Sequence, residues 1–352
     1  MMNMRFNMKR VFGFDSAMIK RQRHTNFRSS ALSTKENDEK EKIELSKIYD
    51  VTNEVKGNIL IAGGLPNDSQ KRTEIYSWKD KKWFEISAME NNRLRAASFN
   101  YGDSIFVVGG CKSIESIEMM NFNLLPLTWQ TFPIGLDYKC GSHKIIVFKQ
   151  QVICIGGYDL DNNSISSLIC KVQICDAASD LFKELCHMPE PRRNFGAEIV
   201  DDKVLIFGGW GKYGNTLSSV IEFDPMTHTF KKMPSLPHSM TGMSTVTWRD
   251  QVVLLGGRTG HGRFLNDVKM YDSKTGKITT LPPMLEKRLE CCAIITGDTI
   301  VVMGGQNEEG KFLKSVECFN IEISDSWTYL PSMNSPRHGA IAEVLPLGQR
   351  YK

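Results

Sequence analysis

The chain has 352 residues, 41% apolar and 24% charged, with a formal net charge of +4. That balance suits a soluble protein with a packed core, and no apolar run reaches the roughly 18 residues that cross a bilayer. The charge is uneven: residues 1–34 carry +6 and the remainder −2, so the body lacks the basic excess of a nucleic-acid surface.

Residues 1–46 read as a disordered basic and charged tail. Arg5, Lys9, Arg10, Lys20, Arg21, Arg23 and Arg28 face a single acid, Asp15, and a dense mixture of charges follows from Lys35 to Lys47. Such a segment has too little apolar surface to offset the entropy lost on ordering. Its Arg-rich start also has the look of a mitochondrial presequence, against which Asp15 and the absence of an apolar face count. Lys20-Arg21-Gln22-Arg23 could serve nuclear import, with a solvated tail as the plainer reading.

From about Val51 the chain becomes an array. Glycine doublets fall at Gly63-Gly64, Gly109-Gly110, Gly156-Gly157, Gly208-Gly209, Gly256-Gly257 and Gly304-Gly305, at spacings of 46, 47, 52, 48 and 48 residues. Each closes a short apolar run such as Val204-Leu205-Ile206-Phe207, the pattern of a strand buried on both faces. The glycines permit positive φ and close backbone approach. A second strand follows, then a turn residue such as Asn123, Asp176, Asp224 or Asp272. A large apolar residue comes 20 to 26 positions after the doublet: Trp83, Trp129, Phe182, Phe230, Ile278 and Trp327. Pro/Met punctuation follows, as in Met233-Pro234-Ser235, and Arg93, Arg192, Arg288 and Arg337 lead into the next strand. Cys140 and Met240 take that arginine register in two repeats.

Nine cysteines are present, an odd number, and several lie within apolar strands, as Cys154 does in Val152-Ile153-Cys154-Ile155. They read as reduced, buried thiols of a cytoplasmic or nuclear protein. No apolar signal segment precedes them, and no Cys-x-x-Cys pair or matching histidine spacing sets up a zinc site.

Doublet, downstream aromatic and Pro-x-Met/Arg tail, repeated six times over roughly Ile48 to Leu347, resemble the kelch repeat. The resemblance implies an all-β fold over residues 47–348: a six-bladed β-propeller with one four-stranded blade per repeat around a central channel. The first repeat lacks the Arg-led strand, and Pro336–Leu345 supplies an unpaired copy at the other end of the chain. That C-terminal strand is expected to close the ring and remove both sheet edges. Trp83, Trp129 and Trp327 are expected as wedges between blades, and the recurrent arginines as bridges between them.

No motif of a hydrolase elbow, phosphate loop or zinc helix occurs. Some kelch propellers are copper oxidases or a sialic-acid mutarotase, but nothing here sets up converging Tyr, His and Cys; no metal or cofactor is expected. The resemblance implies instead a non-catalytic interaction module, most often the recognition part of cullin-RING ubiquitin-ligase adaptors, with actin binding as the alternative and a propeller enzyme such as a sugar mutarotase as the third reading. The 46 residues ahead of the array cannot contain the BTB–BACK region of such adaptors.

Two residue sets are candidates for partner binding. Loops after the doublets carry Trp210 and Tyr213 in the fourth repeat, and Arg258, His261, Arg263 and Phe264 in the fifth. Exposed Trp, Tyr and Arg are frequent binding hot spots, while Trp210 could equally fold back onto its own blade, and packing is the plainer reading of Phe264. Arg95, Arg193, Asn194 and His338 stand just before the inner strands, at the level where arginines of the family's adaptors bind acidic peptides. Arginines there would give bidentate, charge-assisted bonds to carboxylates. A protein or acidic peptide on the loop face, or actin, is therefore the expected partner; nucleic acid and membrane are not.

Overall fold

The structure, a computed structural model, describes residues 56–110, 116–132, 140–173 and 182–346. These belong to one unit, Glu54–Lys352. The tail at 1–46 and the loop Cys111-Lys112-Ser113 lie outside the described residues.

Six antiparallel blades follow one another along the chain in meander order: five four-stranded sheets and, as the third blade, one five-stranded sheet, with Met240–Thr241 and Arg258–Thr259 forming a further two-stranded pair. Blades 2 to 6 begin at their innermost strands: Ala97–Tyr101, Lys144–Phe148, Gly196–Val200, Ser244–Trp248 and Cys292–Thr296. Blade 1 takes its innermost strand from the far end of the chain. Ile341–Val344 pairs antiparallel with Ile59–Ala62, from Ile59 opposite Val344 to Ala62 opposite Ile341. The ring is thus closed by the C-terminal strand, which covers the edge that Ile59–Ala62 would otherwise leave unpaired.

The doublet strand is second from the axis in every blade. It has a partner strand on each side and a neighbouring blade on each face, which is why the four residues ahead of each doublet are apolar. Ile59 and Ile61 face blade 6, and Leu60 and Ala62 face blade 2. All four are fully buried. Six apolar clusters result, one in each gap between adjacent blades.

Tryptophans close three of these gaps with a ring and a hydrogen bond. Trp83 of blade 1 donates Nε1–H to Pro331 O at 2.8 Å, and Trp327 of blade 6 donates to Pro282 O at 2.8 Å. Trp129 of blade 2 donates to Thr73 Oγ1 of blade 1 at 2.9 Å. In each case the acceptor belongs to the preceding blade or the linker that leaves it, so the indole ties two blades together while filling the space between them.

The doublets explain themselves by contact. A Cβ on Gly304 (φ +63°) would lie 2.4 Å from the Arg337 carbonyl, and one on Gly109 2.4 Å from that of Cys140. Each first glycine meets the same linker carbonyl of the following blade. The second glycine of the doublet donates its N–H to that carbonyl: Gly305 to Arg337 O at 2.7 Å, Gly110 to Cys140 O at 2.8 Å. Where the linker residue is arginine, its side chain reaches forward into the next blade. Arg93 donates to Gly109 O at 2.9 Å, Arg192 to Gly208 O at 2.9 Å and Arg288 to Gly304 O at 2.7 Å.

These guanidinium groups are buried, so each needs a counter-charge. Glu118, Glu317 and Glu74 provide it for Arg93, Arg288 and Arg337 at 2.8, 2.7 and 2.8 Å. Arg192 is the exception. Ile221 occupies the equivalent register in blade 4, and the nearest acid, Glu190, is 3.7 Å away. Burial accordingly pulls its pKa down to about 10.

Candidate partner-binding face at the channel mouth

The mouth is built from six linker residues, one from each gap between blades: Arg95, Ser142, Asn194, Gly242, Glu290 and Gly339. All six have left-handed backbone, with φ between +50° and +65°. Each N–H donates to the carbonyl of the previous member, at 2.8 to 3.1 Å, and Arg95 N–H donates to Gly339 O to complete the circle. The six amides form a closed ring around the channel axis. A cavity of about 100 Å³ opens at this level, and all six residues line it. A larger one of about 510 Å³ lies along the innermost strands.

Three of the expected mouth residues converge on one carboxylate that sequence reading missed. Glu290 accepts from Arg95 Nε at 2.6 Å and from Asn194 Nδ2 at 2.7 Å. His338 Nε2 lies 3.3 Å from the same carboxylate, without a hydrogen-bonding angle. Burial lowers the His338 pKa, with Glu290 opposing and Arg95 reinforcing. The His338 ring stacks on Phe312 with centroids 5.5 Å apart. The centre of the mouth is therefore self-neutralised: Arg95 holds a resident carboxylate instead of standing ready for an incoming one. Glu290 was legible in principle, since it stands two residues after Arg288, as Arg95 does after Arg93 and Asn194 after Arg192.

The other candidates form an arc over blades 3 to 5. Trp210 and Arg193 exchange two backbone hydrogen bonds, Trp210 N to Arg193 O at 2.8 Å and Arg193 N to Trp210 O at 3.1 Å. This pairing sets the Arg193 guanidinium over the Tyr158 ring, 4.9 Å from its centroid. Arg258 lies 5.8 Å from the Trp210 centroid. Tyr158, Arg193, Trp210 and Arg258 thus alternate aromatic and cation across three blades. Trp210 is half-buried, neither folded into the core nor free of the surface, and Phe264 is likewise half-buried.

At the loop tips Tyr213 is 87% exposed, and His261 and Arg263 are exposed. Lys212 Nζ sits 5.7 Å above the Tyr213 ring. None of Arg193, Arg258, Arg263 or Lys212 forms an ion pair among the described residues, and Arg193 Nε is buried with no hydrogen-bond partner. Apart from Lys144 on the channel wall, the positive charge without an ion pair near the mouth therefore lies off-centre, on the arc. Among the described residues, no three His, Cys, Asp or Glu side chains gather to hold a metal ion, and no helix is long and apolar enough to cross a membrane.

Comparison with known proteins gives this geometry a family. Residues 142–345, more than half of the chain, match the KLHDC2/KLHL20/DRC7 Kelch-repeats domain. The chain is 29% identical over 183 residues to Kelch-like protein 41b of Danio rerio, covering 48% of this chain and 29% of that protein. It is 24% identical over 177 residues to Kelch-like protein 35 of Mus musculus, covering 49% and 29%. Beta-scruin of Limulus polyphemus is 22% identical over 182 residues, covering 48% and 19%. The match thus spans less than a third of these relatives' own length. In fold, the chain resembles the solved structure of YjhT with a TM-score of 0.63 at 12% identity, covering 71% of this chain and 87% of that one. By repeat, by blade and by comparison, the chain belongs to the kelch-repeat family.

Proposed function

We propose that this propeller is a protein-interaction module whose loop face recognises an acidic segment of a partner protein, in the manner of the recognition part of a ubiquitin-ligase adaptor. The observation that carries this reading is the arc. Arg193 and Arg258 lie over aromatic rings at 4.9 and 5.8 Å from the centroids, lack a carboxylate partner among the described residues and sit on a six-blade scaffold. A guanidinium attracted to a ring face keeps donors for a carboxylate. Tyr213 and Arg263 extend the same surface outward as exposed anchors. The seven described cysteines are all thiols, which supports a reduced compartment, cytoplasmic or nuclear.

The test is affinity capture from cells with the intact chain and with an Arg193→Ala, Arg258→Ala, Arg263→Ala variant of unchanged melting temperature. A discrete partner retained by the first and lost by the second supports the loop-face module. Capture of the same partner by both would move the site elsewhere on the propeller. Co-sedimentation of the intact chain with actin filaments, insensitive to these substitutions, would favour the cytoskeletal alternative instead.

A further inference from the structure

We propose that Cys154 and Cys170 form an oxidisable cross-strand dithiol in blade 3, closing to a disulfide that fastens the hairpin beneath the binding arc. Cys154 lies on the strand Gln151–Asp159 and Cys170 on Ser164–Val172, directly opposite one another in the antiparallel ladder. Both are buried, and both pack into the apolar cluster between blades 2 and 3, so the two thiols project from the same face of the sheet. Directly opposed residues in such a ladder have Cα atoms about 4.5–5.5 Å apart. A disulfide needs roughly 4.4–6.8 Å, so no backbone rearrangement is required. Cys186, the nearest thiol along the ladder, faces Ile169 and packs against the cluster between blades 3 and 4, on the other face.

Burial would protect this pair were the sheet regular at that point. It is not. The pairing with the outermost strand, Phe182–His187, shifts register between Ile169 and Cys170. Cys186 opposes Ile169 and Glu184 opposes Cys170, so Leu185 is left without a counterpart. A bulge of this kind interrupts the ladder and lowers the cost of local opening at Cys170.

The oxidant would be a low-molecular-weight disulfide. One cysteine, as thiolate, attacks a sulfur of that disulfide and releases one small thiolate, leaving a mixed disulfide on the protein. The second cysteine then attacks the protein-side sulfur and releases the other. Two protein thiols lose two protons and two electrons in all, and the oxidant becomes two thiols. The bond would join the two strands whose far end carries Tyr158, the ring beneath Arg193. The consequence for binding rests on the function proposed above; the bond itself does not.

Treating the reduced full-length chain with glutathione disulfide, then digesting without reductant for mass spectrometry, decides the matter. A peptide pair linked Cys154–Cys170, two hydrogens lighter and released by dithiothreitol, is expected from the folded chain and not from the chain oxidised in denaturant. Cys154→Ser should abolish it, and the wild-type map stands alone if that variant does not fold. Recovery of both residues as free thiols while Cys186 or Cys318 carries glutathione would overturn the proposal. So would a link from Cys154 to any other cysteine. A bond that forms but leaves partner capture unchanged would separate the chemistry from its effect on binding.

Discussion

Arg337 spans the seam of the ring: its Nη1 donates to the Gly63 carbonyl at 2.8 Å, across 274 residues of sequence. The same guanidinium donates from Nη2 to Glu74 at 2.8 Å, and its own carbonyl accepts from Gly305 at 2.7 Å. One residue therefore links blade 6 to blade 1 by both backbone and side chain, next to the strand that completes blade 1.

Removing residues 336–352 takes away this residue and the closing strand together. Blade 1 would then expose the unpaired edge of Ile59–Ala62, four residues with no contact with solvent in the intact ring. Loss of a single cooperative melting transition is expected, measured by circular dichroism and calorimetry. A truncated chain that melts as the intact one does would show that the seam is dispensable.

The four linker arginines are not equivalent. Arg288→Met strands Glu317, a fully buried carboxylate, and should cost about 3–5 kcal/mol. Arg192→Met strands no buried carboxylate, since Ile221 stands at that register, and should cost markedly less. Urea denaturation of the two variants compares them; equal losses would mean that the carbonyl bonds, not the ion pair, dominate.

Two glycines with similar backbone separate contact from conformation. Gly214 (φ +74°) has nothing within 4 Å of an added Cβ, whereas Gly304 (φ +63°) would set that atom 2.4 Å from the Arg337 carbonyl. Gly214→Ala should cost about 1–2 kcal/mol, the left-handed penalty alone. Gly304→Ala should cost several kcal/mol more, because the obstructing atom is backbone and cannot swing aside. Thermal melts of the pair measure the difference.

Within the channel, burial pushes the Glu343 pKa from its ordinary 4.5 up to about 7, against the Ser98 hydroxyl and Lys144, with Glu198 adding to the rise. A raised carboxylate pKa means that the folded chain holds the proton more tightly than the unfolded one. Its contribution is full below about pH 4.5 and is lost as pH climbs to about 7, on the order of 3 kcal/mol in all. Glu343→Gln should flatten that part of the stability profile and melt above the parent at pH 8. An unchanged slope between pH 4.5 and 7 would assign the titration to another group.

What the sequence made legible was whatever repeats. Doublets, wedge tryptophans and linker arginines each answer to a contact made several times over, so period alone exposes them. The closing strand was legible for the same reason, as a copy of a unit without its sequel. The mouth was legible only in part. Arg95, Asn194 and His338 could be placed there by register, but register does not say which blades face one another across the axis. Glu290 stands 195 residues from Arg95, and only closure of the ring brings them to 2.6 Å. Tyr158 escaped notice because its blade continues as strand through the doublet, where the others turn into a loop.

The ring of six left-handed amides has a mechanical meaning. Each member is donor to one neighbour and acceptor from the other, so no blade can lean outward without breaking two bonds at once. The opening behaves as a fixed iris rather than a flexible gate. Its diameter is set by backbone and is indifferent to loop sequence, while the surrounding rim can vary freely. Selectivity for a large partner must then reside in the rim, and any molecule entering the axial cavity from this side must fit an aperture bordered by Arg95, Asn194 and Glu290.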